Sequence, residues 1–246
     1  MKWRYFPFKY YDIYERIALN DVVLDYVKET GNGVISFTGW DRDCANVGYS
    51  QKIRDVLDVD KCQKNNIAIL RRKSSGGVTF LSRHDLSWGI TVPEDYFEGK
   101  NLQEIYQYGT SKIIDALKQI GIKAWHKPIN DIMTEKGKIS GSAIRKDNGA
   151  IQLHGTLLFD VDKTILNDLL KPENDHQKQE KILEKDKQVT SISDLSSVSF
   201  DELKKHLEKS FLKGLDYLEQ PFTKEEIFMA QEKKDFLQSD DWLFKF

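Results

Sequence analysis

Two long segments of helical period, each stopped by a glycine, partition this chain and limit what it can fold into. Asp12 with Glu15 reads as a capping box, Ile13, Ile17, Leu24 and Val27 recur on one face, and Gly31 ends the segment. Asn101 with Glu104 opens the second, whose stripe runs through Leu102, Ile105, Ile113, Ala116, Leu117 and Ile120 to Gly121. Between and after them lie short strand-like runs: GVISF at 33–37, ANVGYSQ at 45–51, Asn66–Leu70, VTFL at 78–81, LSWGITV at 86–92, and two more around NDIMTEKGKISGSAIRK and IQLHGTLLF. With SRHD between them, VTFL and LSWGITV read as a hairpin. No regular βαβ repeat occurs. The order helix, strands, helix, strands, helices predicts an α+β chain with a central mixed, largely antiparallel sheet flanked by helices.

After Leu170 the composition changes. KPENDHQKQEKILEKDKQ, 171–188, is almost wholly polar and reads as a charged, mobile loop. Ser199 with Glu202 then caps an amphipathic helix carrying Leu203, Leu207, Phe211, Leu215 and Leu218, and Thr223 with Glu226 caps a last one. Trp242, Phe244 and Phe246 in the closing SDDWLFKF are expected to pack back onto the body. The 246 residues are expected to form one domain, 1–246, with the C-terminal helices spanning 199–246.

A net charge of -2 gives no global cationic field, so nucleic acid is not an expected partner and any anion site must be local. The two cysteines, Cys44 and Cys62, form no CxxC and have no histidine at metal-ligand spacing, which reads as free thiols in a reducing cytosol. No run suits a signal peptide or a membrane span; the expectation is a cytoplasmic protein.

Three stretches carry groups suited to chemistry. RRKSSGGVTF, Arg71–Phe80, sets two guanidinium groups beside a flexible glycine pair; glycine lets backbone N–H groups approach a ligand, and arginine recognises phosphate or carboxylate in a bidentate fashion. It is neither a Walker loop nor GxGxxG, and a hairpin turn with surface arginines reads equally from these residues alone. In KGKISGSA, if Ile139 enters the core, Lys138 and Ser140 face solvent or a cleft, and Gly141 permits close backbone approach; an exposed edge lysine is the plain alternative. His154, heading the apolar LHGTLLFD, reads as a structural histidine or a site residue.

Together and in this order, these stretches resemble the lipoate–protein ligase family. Its glycine motif, roughly RRxSGGGxVxHD, appears as RRKSSGGVTF with Ser75 at the first glycine; NDxxxxxxKxSGSA appears as NDIMTEKGKISGSA, and HHGTLL as LHGTLL. ALNDVVL is similar to the first-helix motif, NVGYSQ to the GxxQ turn, and VTSISDL and TKEE follow the family to the end of its catalytic domain.

The resemblance implies the biotin/lipoate ligase catalytic-domain fold. It also implies activation of lipoic acid, or octanoate, by MgATP to an acyl-adenylate, then transfer to a lysine of a lipoyl domain. On the matched positions, Lys138 would bond the activated carbonyl and phosphate oxygens as an electrostatic clamp, supplying the cation that a carboxylate attacking a phosphate needs. Arg72 would hold phosphate, Arg71 would belong to the same cofactor-binding set, and Gly76, Gly77, Val78, Thr79 and Phe80 would line the pocket. Asn130 and Asp131 would bind the nucleotide, Asp131 also its magnesium, with Ser140, Gly141, His154 and Gly155 completing the binding set.

The chain departs from the pattern in places. The motif's HD falls on Leu81 and Ser82 or is displaced to His84 and Asp85, and Leu153 stands for the first paired histidine. The family's small C-terminal accessory domain has no counterpart after Phe246, which suggests a bipartite ligase completed by a separate accessory subunit. The related octanoyltransferases use a cysteine nucleophile and no ATP; where the most similar variety carries that cysteine, shortly before SGSA, this chain reads KAWHKPIND. An ATP-dependent lipoate–protein ligase is therefore the expectation, with an ATP-independent acyl transferase or a non-catalytic acyl-binding adaptor as alternatives.

Overall fold

The computed structural model describes residues 1–170 and 189–246. The charged 171–188 segment lies outside the described residues.

A mixed eight-stranded sheet forms the centre. Its strands are β1 (Trp3–Tyr11), β2 (Gly33–Trp40), β6 (Leu86–Pro93), β7 (Ala124–Lys127), β8 (Asp131–Thr134), β9 (Gly137–Asp147), β10 (Ala150–Leu157) and β11 (Tyr217–Glu219), ordered β11-β1-β2-β6-β10-β9-β8-β7. β1 runs parallel to β2 and β11, and every other strand pairing in this sheet is antiparallel. A second, three-stranded sheet is ordered β4-β3-β5, from β3 (Cys44–Val47), β4 (Ala68–Arg71) and β5 (Thr79–Leu81). The expected mixed sheet flanked by helices is thus present, with a small sheet beside it.

The two glycine-stopped segments are helices α1 (Ile13–Thr30) and α4 (Leu102–Gln119), with the short α2 (Ile53–Val56) and α3 (Val59–Lys64) between them. Asn101 and Glu104 make the reciprocal capping box, whereas Asp12 caps α1 one way, accepting from the Tyr14 and Glu15 amides. Beyond β10 come α5 (Lys163–Leu169), α6 (Phe200–Leu212), α7 (Lys224–Gln238) and α8 (Asp240–Leu243). α4 and α6 cover one face of the central sheet around Trp88, Phe37 and Phe211. α1, α7 and α8 pack with the small sheet in a second apolar cluster around Ile13, Val47, Leu70 and Trp242. Arg4 on β1 reaches Glu226 on α7 through two charge-assisted bonds of 2.6 and 2.8 Å, which hold α7 against the sheet.

Several expectations change. VTFL and LSWGITV are not a hairpin: β5 pairs with β3 in the small sheet, and β6 lies between β2 and β10 in the large one. The buried Asp85 carboxylate, accepting from the Ser82 and Phe159 amides, holds the turn where the chain changes sheets. β1 and β11 were not read from the sequence; aromatic density hid β1, and β11 is three exposed residues. Leu215 and Leu218 fall beyond α6, which ends at Leu212 ahead of Gly214 at φ +75°, and Leu218 is exposed on β11. Leu102 is likewise exposed, at the first turn of α4. Trp242 is buried as expected, while Phe246 stays half exposed.

Candidate active site

The glycine stretch leaves the small sheet at the end of β4 and returns on β5. Its two arginines part company. The Arg71 side chain is fully buried and donates only to backbone carbonyls, those of Gly48, Tyr49, Gln51 and Leu243. Arg72 turns the other way and closes the loop on itself, donating to the carbonyls of Asn46, Ser75 and Gly77. Burial lowers both guanidinium pKa values from their ordinary level, that of Arg72 to about 10. Gly76 takes φ +111°, and its carbonyl sits so close to Gly48 that a β-carbon there would lie 1.9 Å away. The NVG turn and the glycine loop therefore pack backbone to backbone.

Facing this loop are the ends of β8, β9 and β10. Lys138 Nζ lies 2.6 Å from Asp131 Oδ1. A register shift leaves Ile139 as an extra residue of β9, opposite the Ile132–Met133 step of β8, and this bulge breaks the simple alternation expected there. Ile139 is buried and Lys138 reaches the cavity, but Ser140 turns inward, and its buried Oγ has no hydrogen-bond partner among the described residues. Asn130 is clipped onto β9: its Nδ2 donates to the Ser142 carbonyl at 2.5 Å, and the Ser142 hydroxyl donates back to the Asn130 carbonyl at 2.8 Å. His154 Nε2 lies 3.2 Å from Ser74 Oγ. Burial, then the facing charges of Arg72, Arg16 and Arg145, push its imidazole down to about 3, so it is neutral at physiological pH.

Loop and sheet enclose a cavity of about 470 Å³, within the size range of small-molecule sites. From the expected set it brings together Arg72, Gly76, Gly77, Val78, Thr79 and Phe80 on one side. Asn130, Asp131, Lys138, Gly141, His154 and Gly155 line the other. Arg71 and Ser140 do not line it; the first is consumed by carbonyls, the second by the bulge. Missed were Asn46, Ser75, Ser142, Ala143 and Thr156, all within the motifs already singled out, so proximity in sequence could have found them. Leu158, in LHGTLLFD, and Val189, at the head of VTSISDL, were within quoted motifs as well, and only Val161 carried no such signal; the three supply apolar wall.

Asp131 is the one carboxylate among the described residues lining the cavity, and an ammonium already faces it. No group of three His, Cys, Asp or Glu side chains that could hold a metal ion occurs among the described residues. A single carboxylate could hold a magnesium ion only together with oxygens of a bound ligand such as a phosphate. Neither cysteine lines the cavity: Cys44 and Cys62 are buried in the second apolar cluster, and burial pushes both thiols up, Cys62 to about 11. His84 is exposed on the turn between β5 and β6 and lies outside the cavity lining. Among the described residues, no helix is long and apolar enough to cross a membrane.

Comparison with known proteins places the chain among relatives. It is 25% identical to octanoyltransferase LipM of Geobacillus kaustophilus, over 99% of this chain and 98% of that one. It is equally 25% identical to octanoyltransferase LipM of Staphylococcus aureus, over 95% of both. A bipartite lipoate protein ligase of Thermoplasma acidophilum, from a structural study of it and its E2 lipoyl domain, superposes with a TM-score of 0.86 at 20% identity, covering 99% of this chain and 96% of that one. At that identity the superposition speaks for the fold alone.

These relatives correct the expectation of an ATP-dependent ligase. The named relatives that align along almost the whole chain are octanoyltransferases. The ligase expectation rests on the motif matches and on the lack of a cysteine in KAWHKPIND, and near-full-length relatives that are octanoyltransferases overturn it. The model of the lipoyl protein ligase A/B catalytic domain matches residues 12–212, most of the chain, and this chain belongs to that family.

Proposed function

We propose that this chain transfers a medium-chain acyl group, octanoyl or lipoyl, from a thioester to the lysine amine of a lipoyl domain, without ATP. The observation that carries this reading is the cavity itself: an apolar wall of Val78, Phe80, Leu158, Val161 and Val189 beside the Lys138–Asp131 pair. An acyl chain gains about 0.8 kcal/mol per methylene buried against such a wall. The names of the near-full-length relatives support octanoyl as the group, and the lipoyl domain studied with the Thermoplasma ligase supports the acceptor class.

Without ATP the acyl carbon must arrive already activated, and a thioester meets that need. The acceptor amine attacks the thioester carbonyl, the C–N bond forms, the C–S bond breaks, and the thiolate leaves and is protonated. Negative charge gathers on the carbonyl oxygen at the transition state, where the Lys138 ammonium stabilises it. Asp131, held by Lys138, takes the proton that the attacking amine nitrogen loses as the amide forms and passes it to the leaving thiolate. His154 stays neutral and serves to hold the loop through Ser74. No cysteine of the described residues lies at the cavity, so the acyl group passes directly from donor to acceptor.

The test is mass spectrometry of a lipoyl domain incubated with octanoyl-coenzyme A and the purified chain, with no nucleotide present. A mass gain of one octanoyl group, lost in Lys138→Ala, supports the reading. No gain from the thioester overturns it, and octanoate binding without any transfer would leave an acyl-binding protein.

A further inference from the structure

We infer that Arg71 is a positioning residue through which the C-terminal helix α8 sets the shape of the acyl cavity. The inference rests on the proposed function only for the identity of the ligand.

Arg71 is a buried cation that meets no carboxylate among its hydrogen-bond partners. Leaving a guanidinium in the interior without a counter-charge is costly, so its donors must all be met. They are met by carbonyls from two distant segments. Nη1 gathers Tyr49 at 2.6 Å, Gln51 at 2.7 Å and Gly48 at 3.2 Å. Nε and Nη2 both reach the Leu243 carbonyl, at 3.0 and 2.5 Å, at the C-terminal end of α8 where that oxygen has no helical partner of its own. Trp242 completes the clasp, its Nε1 donating to the Arg71 carbonyl at 3.1 Å.

The clasp leads straight to the cavity. Gly48, held by Arg71, has no room for a β-carbon against the Gly76 carbonyl. The Arg72 amide donates to Val47, and the Tyr49 amide donates to Ser74, so the NVG turn and the glycine loop are joined at both ends. Gly76 and Arg72 line the cavity. A shift of α8 thus moves Gly48–Gln51, and that turn bears on the loop by direct backbone contact. Leu243 and Trp242 lie beyond the residues matched by the family model, so the anchor is built from the part of this chain outside that match.

The test uses the full chain with Arg71→Lys and Trp242→Phe. Lysine keeps the charge but cannot span five acceptor contacts; phenylalanine keeps the ring but loses the N–H donor. Amide hydrogen exchange of residues 74–79 is read beside the melting temperature and the kinetics with octanoyl-coenzyme A. The expected result is at least tenfold faster exchange in that loop, as an order-of-magnitude figure, with KM raised about tenfold and kcat within about twofold. Exchange at the wild-type rate in a folded variant overturns the inference, as does a change in kcat with KM unmoved. If Arg71→Lys shows no cooperative melt, Trp242→Phe decides. If the wild type transfers no acyl group, the functional reading fails while the exchange readout still decides this one.

Discussion

Lys138 Nζ stands 2.6 Å from Asp131 Oδ1, and the pair is partly open to the cavity, with side-chain exposures of 35% and 27%. A pair this exposed contributes at most about 1 kcal/mol to stability. Its placement at the end of an apolar cavity gives it a chemical use instead. Lys138→Ala is expected to lower acyl transfer by about a hundredfold or more while the melting temperature moves by no more than about 4 °C. Transfer rates and a thermal melt on the same preparation check this; equal activity with an intact fold would remove Lys138 from the mechanism.

Two glycines of the site should respond in opposite ways. A β-carbon on Gly48 meets the Gly76 carbonyl at 1.9 Å, with backbone on both sides of the contact, so Gly48→Ala is expected to cost about 2–3 kcal/mol and to disrupt octanoate binding. At Gly77 nothing lies within 4 Å of the added carbon, and Gly77→Ala should leave stability within about 0.5 kcal/mol. Denaturant titration of both variants distinguishes them, and equal losses would contradict the close packing of the two loops.

Transfer without a thiol of this chain can be examined directly. Cys44→Ala with Cys62→Ala should keep transfer within about threefold at a stability cost of about 1–2 kcal/mol, because both side chains lie in the apolar cluster and neither lines the cavity. Iodoacetamide should leave the folded wild type active. A folded double variant with no activity would mean that a cysteine carries the acyl group after all.

The Asp21 carboxylate ties the glycine stretch to the sheet, accepting from Lys73 at 2.5 Å and Arg145 at 2.6 Å. Burial alone would raise its pKa, but these two cations override it and hold it below the ordinary carboxylate value. A depressed carboxylate adds stability that is present above its unfolded pKa of about 3.9 and disappears as pH falls through the folded value. Asp21→Asn should therefore be less stable than wild type at pH 7, and the gap should close on acidification below about pH 4. Urea midpoints measured from pH 3 to 8 would show this; a constant gap would mean the loss is packing, not charge.

Local features were legible because their energies are local. The caps at Asn101 and Thr223, the periods of α1 and α4, and Gly31 in the left-handed region each depend on neighbours within a few residues. The bulge at Ile139 was not legible, since a strand's alternation reads the same until a partner strand shifts register. Nor was the separation of β5 from β6, where two strand runs and a short turn looked like a hairpin and only pairing with β3 and β10 assigned them to different sheets.

By itself the sequence determined the α+β class, the capped helices and the stretches that supply the cavity, because periodicity, caps and glycine conformations are near-neighbour effects. It could not distinguish Arg71 from Arg72, two adjacent residues of one type. Tertiary structure decided that one clasps a carbonyl 172 positions away while the other closes the cavity loop. The physical reason is that a buried guanidinium goes wherever enough acceptors converge, and those acceptors meet only when distant segments have folded together.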